Sequence, residues 1–254
     1  MITSGQNSKI KLVHALQGRA KERRDANAFV VEGGRLVEEL ETRDWRIRYA
    51  LCDASLSNRG RLLVERLKSR SVEVDEISER LMQSLSGTET PQGILAVAEI
   101  SNLPISNSLN FVLIPDQIRD PGNLGTLLRT AAAAGVQAVL LPPETTDAFA
   151  PKVVRSGMGA HFQLPIYSMM WDEIKVQTKG LQVYLADMDG RSCWETDLRE
   201  PLALIVGGEA EGASDEARKL ATQKISIPMA GNVESLNASV AGSVLMFEVV
   251  RQRT

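Results

Sequence analysis

The chain has 254 residues, of which 43% are hydrophobic and 24% charged, and its formal net charge at pH 7 is −3. A chain of this length and composition can bury a core, which excludes a disordered, collagen-like or coiled-coil protein. Its cysteines, Cys52 and Cys193, lack Cys-x-x-Cys spacing, which argues against a disulfide framework and a zinc site. We therefore expect a globular protein with packed cysteines and no metal.

The N-terminus is polar and lacks the apolar stretch of a secretory signal. The longest apolar tracts, 130–143 and 240–250, are shorter than the roughly 18 residues that a membrane-spanning helix needs. We therefore expect a cytoplasmic protein that does not bind a membrane.

Positive charge is concentrated at the start of the chain. The first 24 residues hold six basic residues and one acidic residue, Glu22. The basic residues are Lys9, Lys11, Arg19, Lys21, Arg23 and Arg24. Such a segment can neutralise RNA or DNA phosphates although the whole chain is acidic. The charge distribution alone is explained equally well by a basic helix face exposed to solvent.

The first hundred residues alternate between helical and extended patterns. Ile10, Val13, Leu16 and Ala20 have helical spacing. The predicted elements that follow are a strand at 29–31, a Gly33-Gly34 turn, a helix at 35–42, a strand at 47–52, a helix at 61–69, and strands at 72–77 and 94–100. This order predicts a small α/β domain over residues 1–100.

A linker is predicted at 101–110, where the sequence is rich in Ser, Asn and Pro and carries no charge. A second domain is predicted over 111–254. Its predicted strands are 111–114, 138–141, 183–186, 202–206 and 225–227, and its predicted helices are 124–134, 213–221 and 240–251. Apolar strands that alternate with helices indicate an α/β domain with a parallel sheet covered on both faces.

Ligands of such sheets lie beyond the carboxyl ends of the strands, so the loops there are the candidate site. One loop, 116–129, follows a strand with a Pro121-Gly122 turn and a possible N-cap, Asn123, ahead of Arg129. A capped helix with a surface arginine is the structural alternative for this loop.

Two further loops follow strands. Residues 205–212 form a glycine-rich turn, which lets backbone groups approach a ligand but lacks the Gly-x-Gly-x-x-Gly dinucleotide pattern. Residues 227–241 place Asn232, Glu234, Ser235 and Asn237 within six positions. A helix N-cap at Ser235 or Asn237 would need only one of them.

Together these three segments resemble the signature motifs of the SpoU/TrmH methyltransferases, which belong to the SPOUT superfamily. The family patterns Asn-x-Gly-x-x-x-Arg, Gly-x-Glu-x-x-Gly and Ile-Pro-Met…Ser-Leu-Asn fall at 123–129, 207–212 and 227–237. Gly208 departs from the Ser, Asn or Ala common there, which should affect loop stiffness more than chemistry. The resemblance covers about 110–252, and 151–160 resembles the family's middle section. Residues 1–100 more loosely resemble a ribosomal-protein-like RNA-binding domain.

The resemblance implies a trefoil-knotted domain, a homodimer, and S-adenosylmethionine as cofactor. The implied cofactor-binding residues are Gly207, Ile227, Met229, Ala230 and Leu236. The implied catalytic residues are Asn123, Arg129, Glu209, Ser235 and Asn237. The apolar residues Ile227 and Leu236 would be core residues if no cofactor bound there.

The reaction implied is methylation of a ribose 2′-oxygen in RNA. Neither His14 nor His161 lies in a motif, so a histidine base is not expected. Because a guanidinium does not lose its proton, we expect Arg129 to hold a phosphate and stabilise the developing alkoxide, while Ser235 or the RNA phosphate relays the proton. Glu209 is expected to anchor Arg129 or the loop amides.

The expected substrate is 23S ribosomal RNA, with transfer RNA as the alternative. A non-catalytic RNA-binding protein of the same fold is a different class of function, and the complete set of polar motif residues argues against it. A nucleotide-binding oxidoreductase is disfavoured by the missing dinucleotide pattern. The sequence does not identify the modified nucleotide.

Overall fold

The computed structural model describes residues 1–101, 103–209, 212–231 and 233–254, and it divides into two compact units. Unit 1 comprises Met1–Ser101 and Phe149–Phe162, and unit 2 comprises Asn102–Ala148 and Gln163–Thr254. This division differs from the predicted domain at 111–254, because residues 149–162 pack with the first unit.

Unit 1 is an α/β structure around a mixed sheet with the strand order β1-β4-β2-β3. Its elements are α1 (Ser8–Gln17), α2 (Ala20–Ala26), β1 (Ala28–Glu32), α3 (Gly34–Thr42), β2 (Ile47–Cys52), α4 (Asn58–Ser69), β3 (Glu73–Glu76), α5 (Glu79–Leu85), β4 (Ile94–Glu99) and α7 (Pro151–Gly157). Strand β4 is antiparallel to β1 and β2, and β2 is parallel to β3.

The single helix predicted from Ile10 to Ala20 is two helices. Asn7 caps α1 by accepting the Lys9 amide at 2.9 Å, and the helix ends at Gly18. The buried residues Ile10, Val13 and Leu16 fix the helix on the core of the unit. Arg23, on α2, is only 3% exposed and donates to the carbonyl oxygen of Leu16 at 2.6 Å, which ties the two helices together.

Aromatic contacts join residues 149–162 to the rest of unit 1. The Phe29 ring centroid lies 4.9 Å from that of Phe149 and 6.5 Å from that of Phe162. Trp45 meets Phe162 edge-on at 5.5 Å. Such aromatic pairs stabilise the packing of residues 149–162 against unit 1. The periodicity of the sequence reports only local structure, so it could not assign this segment to a sheet formed more than a hundred residues earlier.

Unit 2 contains the predicted parallel sheet, and each strand pairs in parallel with its neighbours in the order β10-β8-β9-β5-β6-β7. Its elements are β5 (Phe111–Asp116), α6 (Pro121–Ala133), β6 (Ala138–Leu141), β7 (Ile166–Ser168), α8 (Trp171–Gln177), β8 (Gln182–Ser192), β9 (Leu202–Gly207), α9 (Asp215–Leu220), β10 (Gln223–Ser226) and α10 (Ala238–Arg253). The α/β class with a parallel sheet is thus confirmed.

Helices α6 and α10 pack closely against each other. A Cβ atom at Gly242 would lie 2.5 Å from Leu127 Cδ2, so a larger residue there would displace the Leu127 side chain. On α6, Thr130 lies one turn beyond Leu127, and its hydroxyl is 3.0 Å from that of Ser243, the residue after Gly242 on α10. These contacts fix how the two helices lie against each other. They therefore also fix the position of the loops that precede the helices. Within the described part of the chain, no helix is long and apolar enough to cross a membrane.

Candidate functional site at the carboxyl ends of the strands

The first loop joins β5 to α6. The N-cap of α6 is Asp120, whose side chain accepts the amide of Asn123 at 2.9 Å, and Pro121 begins the helix. The prediction that Asn123 is the cap was therefore wrong. Because the Asp120 carboxylate satisfies the helix end, the amide side chain of Asn123 is available for other contacts.

The second loop leaves β9, which lies beside β5 with Gly207 opposite Asp116. A Cβ atom at Gly208 would collide with the backbone carbonyl oxygen of Gln117, so glycine lets the loops after β5 and β9 touch. Gln117 has a left-handed φ of 53°, which directs the chain into this contact. Glu209 follows at the exposed edge.

The third loop joins β10 to α10, and Asn237 is the N-cap of that helix. Its Oδ1 accepts the amides of Ser239 at 2.9 Å and Val240 at 3.2 Å. This fixes the Asn237 side chain with its NH₂ group turned away from the helix. Asn232, in the same loop, lies outside the described residues.

The three loops meet in one hydrogen-bonded cluster. Asn123 Nδ2 and Asn237 Nδ2 both donate to Glu209 Oε1, the second at 2.6 Å. Asn237 Nδ2 also donates to Asn123 Oδ1 at 3.1 Å. Residues separated by up to 114 positions are thus held around one carboxylate oxygen. A carboxylate held by two amides is a preorganised acceptor for a hydroxyl or another donor.

Ser239 also belongs to this cluster and was not predicted from the sequence. Its hydroxyl lies 2.7 Å from Asn237 Oδ1 and 3.2 Å from Asn123 Oδ1. The sequence does place Ser239 two residues after the predicted site residue Asn237. A serine in the first turn of a helix is, however, equally well explained by capping of the helix end. Its contact with Asn123, 116 positions earlier, is visible only in the fold.

Two predicted catalytic residues lie outside the hydrogen-bonded cluster. Arg129 is exposed on α6, and Ser235 is exposed ahead of α10. Within the described residues neither side chain makes a hydrogen bond or ion pair, so the predicted anchoring of Arg129 by Glu209 is absent from this structure. Both histidines, exposed His14 and buried His161, belong to unit 1.

The predicted cofactor-binding residues line the edge that carries the cluster. Gly207 ends β9, and Ile227 follows β10 directly. Ile227 and Leu236 are half-buried rather than core residues, and Met229 is 39% exposed. Ala230 is exposed beside it. Among the described residues of 227–236, no backbone group hydrogen-bonds to another described backbone group.

A small cleft of about 100 Å³ lies beside the cluster. Its lining residues are Gln117, Ile118, Arg119, Asp120, Asn123, Gly208 and Glu209. Arg119 Nη2 lies 3.3 Å from Glu144 Oε2, and both side chains are more than half exposed, so this ion pair is weak. The cleft therefore offers donors and acceptors next to the Glu209 carboxylate.

Asp116 is a fully buried carboxylic acid beneath the loop that carries Glu209. Its Oδ2 accepts the amide of Ser214 at 2.6 Å, whereas its Oδ1 has no hydrogen-bond partner among the described residues. Burial raises the pKa of Asp116, the Ser214 hydrogen bonds oppose that change, and the charges of Glu216 and Glu144 add to it. Asp116 thus holds the start of α9 against β5.

Two family models match the chain. The SpoU rRNA Methylase family matches residues 110–247, and the MRM3-like substrate binding domain matches residues 7–96. The chain belongs to the SpoU rRNA methylase family. The first match contains all three loops of the cluster and the ten predicted site residues.

Relatives within the family align with nearly the whole chain. The 23S rRNA (guanosine(2553)-2′-O)-methyltransferase of Bacillus subtilis is 34% identical, over 98% of this chain and 98% of its own length. The 23S rRNA (uridine(2479)-2′-O)-methyltransferase of Streptomyces viridochromogenes is 30% identical, over 99% and 92%. The AdoMet-bound rRNA methyltransferase of Sinorhizobium meliloti superposes with a TM-score of 0.88 at 28% identity, covering 100% of this chain and 98% of that one.

Proposed function

We propose that this protein transfers a methyl group from S-adenosylmethionine to a ribose 2′-oxygen of 23S ribosomal RNA. Family membership supports the reaction class, and the relatives named for 2′-O-methylation of 23S rRNA support the substrate. Their named targets are a guanosine and a uridine, so the target base of this chain stays open.

The observation that carries the proposal is the meeting of Asn123, Glu209 and Asn237. Each comes from a different loop at the carboxyl ends of the parallel strands, where α/β sheets bind ligands. A non-catalytic RNA-binding protein has no use for a carboxylate held by two amides at that edge.

The residues of this edge fit the proposed cofactor. Ile227 and Leu236 offer half-buried apolar surface, and the loop between them has backbone groups that are not used in secondary structure. Gly207 has no room for a side chain, because a Cβ there would lie 2.7 Å from the Ala213 amide nitrogen. When bound, S-adenosylmethionine supplies a methyl group on a positively charged sulfur.

The side chains of this protein would orient the ribose and handle its proton. A bond forms between the 2′-oxygen and the methyl carbon as the bond from that carbon to sulfur breaks, and the hydroxyl proton leaves. Arg129, exposed on α6, holds the adjacent phosphate, since a guanidinium donates two parallel hydrogen bonds. Ser235 or that phosphate relays the proton toward solvent, and the Glu209 cluster orients the ribose.

A homodimer, a trefoil knot and a cytoplasmic location are part of the proposal. Val240 and Phe247 of α10 are 46% and 49% exposed, and half-buried Val244 lies between them on the same helix face. An apolar stripe of this kind is suited to burial against a second copy of the chain. The knot and the location are supported by family membership.

The test is methyl transfer by the purified full-length protein with isotopically labelled S-adenosylmethionine. The substrate is either 23S rRNA that lacks the modification or transfer RNA. Each RNA is incubated separately with the wild-type protein and with the Glu209→Gln variant. We expect label at a ribose of 23S rRNA and at least a tenfold slower transfer by the variant. Label only in transfer RNA would overturn the ribosomal target, and no transfer to either RNA would overturn the function.

A further inference from the structure

The hydroxyl of Ser239 lies at the centre of the polar cluster. Ser239 is 4% exposed, in the first turn of α10, and its Oγ is 2.7 Å from Asn237 Oδ1 and 3.2 Å from Asn123 Oδ1. It is therefore a buried donor that faces the oxygen ends of both side-chain amides.

The orientation of those amides decides whether Glu209 is held. A carboxamide has an acceptor at one end and two donors at the other, and a half-turn of the group exchanges them. In the structure both NH₂ groups point at Glu209 Oε1. A half-turn of either amide would place an oxygen against the carboxylate, which would lose a hydrogen bond and add repulsion.

The two amides depend on Ser239 to different degrees. Asn237 Oδ1 is also fixed by the backbone amides of Ser239 and Val240, at 2.9 and 3.2 Å. Among the described residues, Asn123 Oδ1 receives Asn237 Nδ2, at 3.1 Å, besides the Ser239 hydroxyl. Removing the hydroxyl therefore leaves one donor on Asn123 Oδ1 and two on Asn237 Oδ1 within the described part of the chain.

We propose that Ser239 is a positioning residue for methyl transfer. Its single hydroxyl hydrogen, shared between Asn237 Oδ1 at 2.7 Å and Asn123 Oδ1 at 3.2 Å, keeps both amides turned so that their NH₂ groups donate to Glu209. This inference rests on the proposed function, and it adds a residue to the cluster without changing the substrate.

The packing of α10 does not depend on that hydroxyl. Gly242 admits Leu127, and Ser243 meets Thr130 at 3.0 Å. The Ser243 hydroxyl also donates to the Ser239 backbone carbonyl, at 2.7 Å, which an alanine at 239 would keep. Alanine is smaller than serine and a good helix former, so Ser239→Ala should fold.

The test compares Ser239→Ala, Ser239→Cys and the matched control Ser243→Ala, which removes a hydroxyl from the same helix one turn away. We expect kcat for RNA methylation to fall roughly tenfold in Ser239→Ala, the loss associated with one neutral hydrogen bond. The KM values for S-adenosylmethionine and RNA should stay within about twofold, Ser239→Cys should lie between wild type and alanine, and Ser243→Ala should match wild type.

An unchanged kcat in Ser239→Ala would overturn the positioning role. An equal loss in Ser243→Ala, or a loss of cofactor binding in Ser239→Ala, would assign the effect to helix packing instead and would also overturn it. Because wild type is measured beside the variants, absence of transfer by wild type itself would mark failure of the proposed function.

Discussion

Arg129 is a residue that the fold does not require. It is exposed on α6, and its side chain makes no hydrogen bond or ion pair with the described residues. We therefore expect Arg129→Lys to leave melting temperature and S-adenosylmethionine affinity unchanged while slowing methyl transfer by ~10²- to 10³-fold, because lysine keeps the charge but loses the planar pair of donors.

Calorimetry with S-adenosylmethionine and a single-turnover assay separate the two effects of Arg129→Lys. Arg61→Lys, at an exposed arginine of α4 in unit 1, is the control. Transfer at the wild-type rate would exclude the phosphate-holding role, and loss of cofactor binding would make Arg129 a structural residue.

Asp116 gives the protein a pH dependence of stability. Because burial raises its pKa above the ordinary 3.8, the folded protein binds this proton more tightly than the unfolded chain does. Ionisation in the fold is therefore unfavourable, and this contribution lowers stability as pH rises from about 3.8 through the raised pKa. Glu144 and Glu216, the acidic neighbours, act in the same direction.

The prediction is that Asp116→Asn removes this contribution. The free energy of unfolding of the variant, relative to wild type, should increase between pH 4 and pH 7, as measured by urea unfolding at several pH values. Asp189→Asn, at an exposed carboxylate, is the control for the substitution itself. A constant difference between Asp116→Asn and wild type would show that Asp116 is not penalised by burial.

At the scale of elements, α1 and α2 present the basic residues predicted to bind RNA, but two of the six serve the fold. Lys9 pairs with Glu73 at 2.6 Å and with Asp75, and Arg23 is buried. The exposed ones are Lys11, Arg19, Lys21 and Arg24. These four exposed residues form the basic surface of unit 1.

Reversing the four exposed charges of the basic surface to glutamate should weaken RNA binding and reduce its salt dependence. Each lost phosphate contact lowers the slope of log affinity against log salt by about 0.7 to 0.9. Filter binding at several salt concentrations measures this. Lys175→Glu with Lys179→Glu, on exposed positions of unit 2, is the control, and an unchanged slope in the fourfold variant would contradict the prediction.

Deleting residues 1–100 is a poor test of that surface. Phe149 and Phe162 pack on Phe29 and Trp45, so the deletion would expose aromatic rings rather than only remove charge. Charge reversal keeps the full chain folded.

The sequence predicts best those elements that are strongly apolar or periodic. Strands β5, β6, β9 and β10 and helices α6 and α10 lie within a few residues of their predicted bounds, because apolar runs and helical periodicity persist over them. Strand β7 was missed, and β8 continues to Ser192, well beyond the predicted 183–186. Helices α5, α7 and α8, each of seven residues, were missed, since two turns carry too few apolar positions to show a period. In the hydrogen-bonded cluster, Asn123, Glu209 and Asn237 were predicted from motifs, whereas Ser239 is recognised only through its contact with Asn123, which is distant in sequence.

At the scale of the whole molecule, we expect a stable homodimer. Leu245 and Val249 of α10 are buried within the protomer, which leaves Val240 and Phe247 as exposed apolar side chains. Sedimentation should give twice the 27.7 kDa chain mass at micromolar concentration, and Phe247→Glu should shift it toward monomer. A wild-type protein that sediments only as a monomer would contradict the prediction.

The central claim is that this protein methylates one ribose of 23S ribosomal RNA. The most direct test is a map of ribose methylations in RNA from cells with the gene, without it, and with the gene restored as wild type or Arg129→Lys. We predict that one 2′-O-methyl group in 23S rRNA disappears with the gene and returns only with wild type. An unchanged set of ribose methylations, or a loss confined to transfer RNA, would contradict the claim.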